Sequence, residues 1–152
     1  MKILIGVVLL GLVASQAQAQ AVTGPKTATF AQPAGDIPLT LSYQLDFFQC
    51  ASVTAGACVG QAATPFQSGV VIPVASVTTQ APDANGNNRT FPLTTAPASG
   101  LLGAIPVGTP FVATLIVNGD PAQGEGTSGR SAASNPFFMP KVPTAVTTVK
   151  AQ

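Results

Sequence analysis

Residues 39–47 alternate without a break between apolar and polar side chains. Successive side chains of a β-strand point to opposite faces, so this pattern predicts a strand with one face buried against a core. The apolar members are Leu39, Leu41, Tyr43, Leu45 and Phe47. No stretch beyond the first twenty residues shows the 3.6-residue apolar period of an amphipathic helix over three turns. The sequence therefore predicts an all-β fold.

Other strand-like segments lie between turn signals rich in Gly and Pro. They cover residues 26–31, 69–79, 89–94, 111–117 and 137–139. Pro73 cannot donate to a sheet, so the second of these segments is predicted to be an edge strand or to contain a bulge. Apolar residues of both parities in 111–117 predict a strand near the centre of a sheet. Short strands at this spacing favour a single β-sandwich.

The first nineteen residues have the pattern of a secretory signal peptide. Lys2 supplies a positive start, residues 3–13 an apolar helical core, and Ala17-Gln18-Ala19 a small-residue cleavage signal. Cleavage near Ala19 predicts a secreted protein, extracellular or periplasmic. The apolar run is shorter than the about 20 residues of a membrane-spanning helix, so no stable membrane span is expected in the mature chain. The predicted division is 1–19 signal peptide, 20–141 β-sandwich domain and 142–152 C-terminal tail.

The charge and the residue content of the chain disfavour several classes of function. Charged residues make up 7 % of the chain, against about 25 % in an average soluble domain. Without Lys2 the mature chain has five basic and five acidic residues, which disfavours a nucleic-acid partner because such binding needs clustered positive charge. The chain has no His to activate a nucleophile. We expect a non-enzymatic protein without a cofactor.

Cys50 and Cys58 are the two cysteines of the chain, and an exported protein is expected to join them in a structural disulfide. The segment Gly-Glu-Gly-Thr-Ser-Gly, residues 124–129, matches the glycine spacing of a dinucleotide-binding loop. Such a loop needs a helix after it, but Pro136 follows within a polar stretch that has no helical apolar face. A surface turn is therefore the favoured interpretation.

A polar stretch near residue 85 carries two partial motifs. Asp83, Asn85 and Asn87 alternate like the first oxygen ligands of a calcium loop, while a polar hairpin turn accounts for the same residues. Calcium binding thus stays an alternative, and no other metal site is expected. Asn88-Arg89-Thr90 has the pattern of an N-glycan acceptor on an expected surface turn.

Residues 105–128 resemble the last third of a fibronectin type III domain. Pro106 and Thr109 lead into a strand that begins with the aromatic Phe111, and Gly124-Glu125-Gly126 with Ser128 occupies the place of the Gly-rich hairpin. Residues 27–47 also resemble the second and third strands of that family, with Gln32-Pro33-Ala34 as the turn. The resemblance implies an immunoglobulin-like sandwich of about seven strands.

Two functions follow as expectations. The first is a non-catalytic module for extracellular binding or adhesion, its partner a protein or a glycan. Its expected contact surfaces are the Cys50–Cys58 loop with an exposed Phe48, and the turn containing Gly124, Glu125 and Gly126. The alternative is a structural subunit of an extracellular filament or matrix, whose tail 142–152 adds as a strand to the sheet edge of another copy.

Overall fold

The computed structural model describes residues 21–79 and 87–140. In these ranges the chain is mostly β, which confirms the predicted all-β class. The strands are β1 Val22–Thr23, β2 Thr27–Gln32, β3 Thr40–Thr54, β4 Ala57–Gln61, β5 Val70–Pro73, β6 Thr78–Thr79, β7 Asn87–Pro92, β8 Pro110–Gly119 and β9 Phe137–Phe138. One short α-helix, α1, spans Ala98–Gly103, and 3₁₀ turns cover Ala34–Leu39, Val74–Ser76 and Pro121–Gln123.

The strands form two sheets. The first has the order β1-β9-β8-β3-β4, and β5 also pairs with β3, on the side away from β8. The second has the order β2-β7-β6. All pairs are antiparallel except β1 with β9. The long β3 is the centre of the first sheet because it pairs with β8 on one side and with β5 and β4 on the other.

One core lies between the two sheets. The ring of Phe30 from β2 contacts Tyr43 of β3 edge to face, with centroids 5.0 Å apart, and Phe91 of β7, with centroids 6.2 Å apart. Aromatic pairs of this geometry add about 0.5–1.5 kcal/mol each beyond the area that they bury. Leu101 and Leu102 of α1 pack into the same core. The aromatic side chains thus hold the two sheets together.

The predicted strands 26–31, 89–94, 111–117 and 137–139 are present with shifts of one or two residues at their ends. The predicted strand 69–79 instead divides into β5 and β6, which belong to different sheets, and β3 continues to Thr54. Tyr43, Leu45 and Phe47 point into the core, as the alternation predicts. Leu41 does not: its side chain is 55 % exposed, because the register between β3 and β8 shifts between Thr40 and Ser42. Such an irregularity moves side chains to the other face. β5, which ends at Pro73, lies at the edge of β3, so the edge prediction is confirmed.

The predicted disulfide is present between Cys50 and Cys58. The segment between these cysteines is a β-hairpin, however, and not the loop that we expected. It turns at Ala55 and Gly56, whose φ angles are 50° and 75°. Both angles are positive, which is the backbone conformation of a two-residue hairpin turn. The disulfide therefore joins β3 to β4.

Several predictions lie partly or wholly outside the described residues. The signal peptide 1–19, the tail 142–152, and Asp83 and Asn85 of the calcium motif belong to this group. Asn88 lies within β7, paired with Ala31, so its expected position on a surface turn is wrong. Among the helices of the described ranges, none has the length and apolar content needed to cross a membrane.

Candidate functional site

A groove runs between the outer edge of β2 and the chain that follows β8. Its larger half has a volume of about 630 Å³. Residues 26–31 line it on one side, and the other side is lined by Ala113, Leu115, Ser131, Ala132, Ser134 and Asn135. A second half of about 400 Å³ continues along Phe30 and Ala31 to Asp36, Glu125 and Gly126. We call the two halves together the β2 groove. It follows β2 along its whole length.

The wall formed by β2 is the edge of the second sheet, and no described strand pairs with it on this side. The Leu93 amide donates to the Lys26 carbonyl at 2.8 Å, which identifies this pair as a hydrogen-bonded one. Hydrogen-bonded and non-hydrogen-bonded pairs alternate along antiparallel strands, so every second residue of β2 directs its amide and carbonyl away from β7. In the ranges 21–79 and 87–140 these outward groups have no hydrogen-bond partner. They belong to Thr27, Thr29 and Ala31.

The opposite wall is formed by residues 127–135, which we call the serine segment. Its three serines, Ser128, Ser131 and Ser134, each bond to one residue of β8 in the same way. The Ser131 amide donates to the Leu115 carbonyl at 2.8 Å, and the Leu115 amide donates to Ser131 Oγ at 2.9 Å. Ser128 with Val117 and Ser134 with Ala113 repeat this geometry. Each serine hydroxyl therefore replaces a backbone carbonyl as acceptor.

The spacing of the serines differs from that of a strand. Three residues of the serine segment span the same distance as two residues of β8, which is about 6.8 Å. The serine segment thus advances only about 2.3 Å per residue, against about 3.4 Å for an extended strand. Hydroxyl acceptors make this possible because the segment does not need the geometry of a paired strand. The edge of β8 is closed in this way, whereas the edge of β2 has no partner among the described residues.

The floor of the β2 groove is apolar. Leu45, Phe47, Phe91, Leu93 and Phe137, all members of the core, line its base. Half-buried apolar side chains stand on both sides: Ala28 and Phe30 at alternate positions of β2, and Ala113 and Leu115 at alternate positions of β8. These two rows face each other, and within each row the side chains are two residues apart. A strand that lay between the two sheets would contact side chains at this spacing on both sides. Such a groove suits an extended peptide.

The serine segment is held to the first sheet by an ion pair on the face away from the core. Asp46 of β3 is fully buried and accepts from Gln44 Nε2 at 3.1 Å. Arg130 makes a salt bridge with Asp46, donates to Thr114 Oγ1 at 2.9 Å, and stacks over the Phe48 ring at 4.8 Å. A buried carboxylate is costly without such a partner. Arg130 thereby fixes the middle of the serine segment.

The structure agrees with the sequence prediction for some of the expected contact residues and disagrees for others. Phe48 points away from Phe47, as expected, but it is only 3 % exposed because Arg130 and the neighbouring disulfide cover it, so the expected exposure is wrong. Residues 124–126 form an exposed surface turn in which Gly124 has a φ of 79°. The serine segment follows them, and it is not a helix. Glu125 and Gly126 line the far end of the β2 groove.

Sequence reasoning missed the β2 groove and the ion pair. The spacing Ser128-x-x-Ser131-x-x-Ser134 was visible, but it is neither a helical nor a strand period. Neither a metal-binding group of three or more Asp, Glu or Cys side chains nor an unpaired cysteine occurs among the described residues. Comparisons with protein-family models, with curated proteins and with solved structures give no match to this chain.

Proposed function

We propose that this chain is a secreted, non-catalytic β-sandwich similar to fibronectin type III domains, and that it binds an extended segment of another extracellular protein in the β2 groove. The neighbours of the strands support the fold. β2 and β7 lie side by side in one sheet, and β3 and β8 in the other. In an immunoglobulin-like sandwich the second and fifth strands, and the third and sixth strands, are neighbours in the same way.

The observation that carries the function is the edge of β2, which has no partner within residues 21–79 and 87–140 and lies beside an apolar floor. In that type of sandwich the first strand covers the edge of the second. Here Thr27, Thr29 and Ala31 present their amides and carbonyls to the β2 groove instead. An added strand would supply partners for these groups and cover Phe30 and Leu115. Strand addition of this kind obtains affinity from backbone bonds and specificity from alternate side chains.

The dimensions of the β2 groove define the partner. β2 has six residues, so about 20 Å of an extended chain can pair with it. Alternate side chains of the partner should be small and apolar, since the base already holds the rings of Phe47 and Phe137, 5.2 Å apart. The other face of the added strand would meet solvent. The partner is therefore an uncharged, β-prone peptide segment of about six residues.

The chemistry of the described carboxylates supports a non-catalytic role. Asp46 is paired with Arg130, and Asp120 caps a turn by accepting from the Ala122 amide at 2.9 Å. Asp36 and Glu125 stand exposed at the far end of the β2 groove. The carboxylates of Asp46 and Asp120 therefore have structural roles that need no reaction.

Proline scanning of β2 tests the proposed function. Peptides of twelve residues would be selected from a display library on the immobilised protein and their affinities measured by calorimetry. Thr29→Pro removes one outward amide and should abolish binding, because proline cannot donate to an added strand. The fold should persist, since edge strands tolerate proline on the outward side. Ala28→Pro is the matched control, because it removes an inward amide and should disrupt pairing with β7 and lower stability.

Two results would contradict the proposal. Selected peptides that bind the Thr29→Pro variant as well as the wild type would exclude strand addition at β2. A selection that yields no binder would exclude the peptide partner. Light scattering of the exported protein separates the second candidate, the filament subunit: the same open edge would then take a strand from another copy, and the mass would grow with concentration.

A further inference from the structure

We propose that the β2 groove selects a peptide that runs antiparallel to β2, with a basic residue before the segment that pairs and an acidic residue after it. The paired segment of about six residues stays uncharged. This inference rests on the proposed function of the β2 groove, and it names the direction and the charge pattern of the partner. The positions of the charged side chains along the groove carry the inference.

The charged residues that line the β2 groove are separated by sign. Lys26 lines the larger half, immediately before β2, and no other described residue of that half carries a charge. Asp36 and Glu125 line the other half, which adjoins the last residues of β2. All three side chains are exposed. Among the described residues, the groove is therefore positive where β2 begins and negative where it ends.

A buried network of hydrogen bonds holds the negative end of the β2 groove in place. Gln32, the last residue of β2, accepts from the Tyr43 hydroxyl at 2.7 Å and donates to Thr40 Oγ1 at 2.7 Å. The Thr40 hydroxyl in turn donates to the Asp36 carbonyl at 2.8 Å. Tyr43, Gln32 and Thr40 are all buried. The turn that carries Asp36 is thus fixed to the core.

The carboxylate of Glu125 is positioned from the β8 side of the groove. The Glu125 amide donates to the Asp120 carbonyl at 3.2 Å, and the Gly119 amide donates to the Gly126 carbonyl at 3.0 Å. A Cβ on Gly119 would lie only 2.6 Å from the Cβ of Glu125, so the glutamate begins directly against the end of β8. Asp36 follows β2, on the other side of the groove. A cation at this end would therefore be attracted from both sides.

The two ends of the β2 groove define the direction of an added strand. An antiparallel strand begins beside Asp36 and Glu125 and ends beside Lys26, so its N-terminal side should be basic and its C-terminal side acidic. The amino group and the carboxylate of a free peptide have the same signs at these ends. A parallel strand would instead bring its amino end next to Lys26. Antiparallel pairs are also slightly more stable per residue than parallel ones.

The charged ends contribute selectivity, while the backbone bonds and apolar contacts contribute most of the affinity. One exposed ion pair changes a dissociation constant by about two- to fivefold. A peptide with the proposed charge at both ends should therefore bind about four- to 25-fold more tightly than a peptide with neither, because separate sites add. This advantage should decrease at high salt, since exposed charges are screened.

Two display libraries test the charge pattern. Both contain the same six randomised positions, restricted to Val, Ile, Thr, Ser and Ala. In the first library two lysines precede these positions and two aspartates follow them, and in the second library the charged pairs are exchanged. The immobilised full chain should enrich the first library. Synthetic peptides with one core, capped ends and exchanged charged pairs should differ at least about fourfold in dissociation constant by calorimetry at low salt.

A charge-reversal variant should invert this preference. Lys26→Glu, Asp36→Lys and Glu125→Lys together exchange the sign of both ends and raise the net charge by two. The matched control is Ser52→Lys/Gln61→Lys, which raises the net charge equally on exposed residues of β3 and β4 and should keep the wild-type preference. A peptide with the same core and no charged residues should bind wild type and both variants equally, which verifies that the groove is folded.

The outcomes separate the inference from the proposed function. Equal binding of both charge patterns, together with loss of binding in Thr29→Pro, would overturn the inference and leave strand addition at β2 intact. A wild-type preference for the second library that inverts in the charge-reversal variant would overturn the antiparallel direction. A preference that persists in the charge-reversal variant would place the selecting charges elsewhere and also overturn the inference. Binding of neither library would overturn both the inference and the proposed function.

Discussion

Asp46 shows how one buried residue fixes the identity of its neighbours. Its carboxylate faces away from the aromatic core and is held by Arg130, Gln44 and the close approach of Gly69. A side chain on Gly69 would overlap Asp46 Oδ1 and lie 2.9 Å from Gln44 Nε2. Asp46 cannot move aside without losing Arg130. Glycine at position 69 is therefore required by space and not by backbone conformation.

Gly69→Ala should destabilise the protein by about 2 to 3 kcal/mol, since the added methyl group must push a buried ion pair apart. Urea unfolding of the variant measures this change. Gly100→Ala is the control, because a Cβ at Gly100 in α1 meets nothing within 4 Å. If both variants lose the same stability, the close approach of Gly69 to Asp46 has no energetic effect.

The serine segment bonds to the edge of β8 as a neighbouring strand would, although it is not a β-strand. Its hydroxyls accept from the amides of Ala113, Leu115 and Val117, and in turn donate to the carbonyls of the residues that follow each serine. The edge of β8 is thereby satisfied by side chains. Unpaired edges are sites of unwanted pairing, so this arrangement protects the edge of β8 from it.

Ser131→Ala should cost about 1 kcal/mol, because the Leu115 amide loses its acceptor. Exchange of the Leu115 amide with deuterium should become about fivefold faster, as measured by NMR. Ser52→Ala provides the comparison, since the Ser52 side chain is exposed and makes no hydrogen bond among the described residues. Unchanged exchange at Leu115 would show that water replaces the hydroxyl at no cost.

The disulfide and the proposed binding surface lie in different parts of the molecule. Cys50 and Cys58 join β3 to β4 beside Phe48 and Val112, in a small apolar cluster distinct from the main core. None of these residues lines the β2 groove, which lies between the two sheets. Stability and peptide binding should therefore respond to different changes.

Replacement of both cysteines, Cys50→Ala/Cys58→Ala, should lower stability by about 2 to 3 kcal/mol, the chain-entropy value for so short a loop. The affinity for a peptide in the β2 groove should stay within about twofold of wild type when measured below the unfolding transition, because additivity holds for distant sites. A large loss of affinity in the folded variant would show that the hairpin shapes the groove.

Local patterns predicted much of the fold. The alternation in residues 39–47 located the first half of β3, and β-branched runs located β5 and β8, because burial on one face or on both produces a recognisable apolar pattern. The run 69–79 did not show that the chain passes from one sheet to the other after Pro73. The burial of Asp46 was not predictable, since its partner Arg130 is 84 residues away. α1, with six residues, is too short to show a helical period. The β2 groove depends on how the two sheets face each other, which no local pattern records.

The three-to-two spacing of the serine segment limits how this region can change in length. A single inserted residue between Ser128 and Ser131 would move all later serines out of phase with β8. Loss or gain of a whole Ser-x-x unit keeps the remaining serines in phase only if β8 changes by two residues at the same time. Natural variants of this region should accordingly differ in coupled steps of three and two residues.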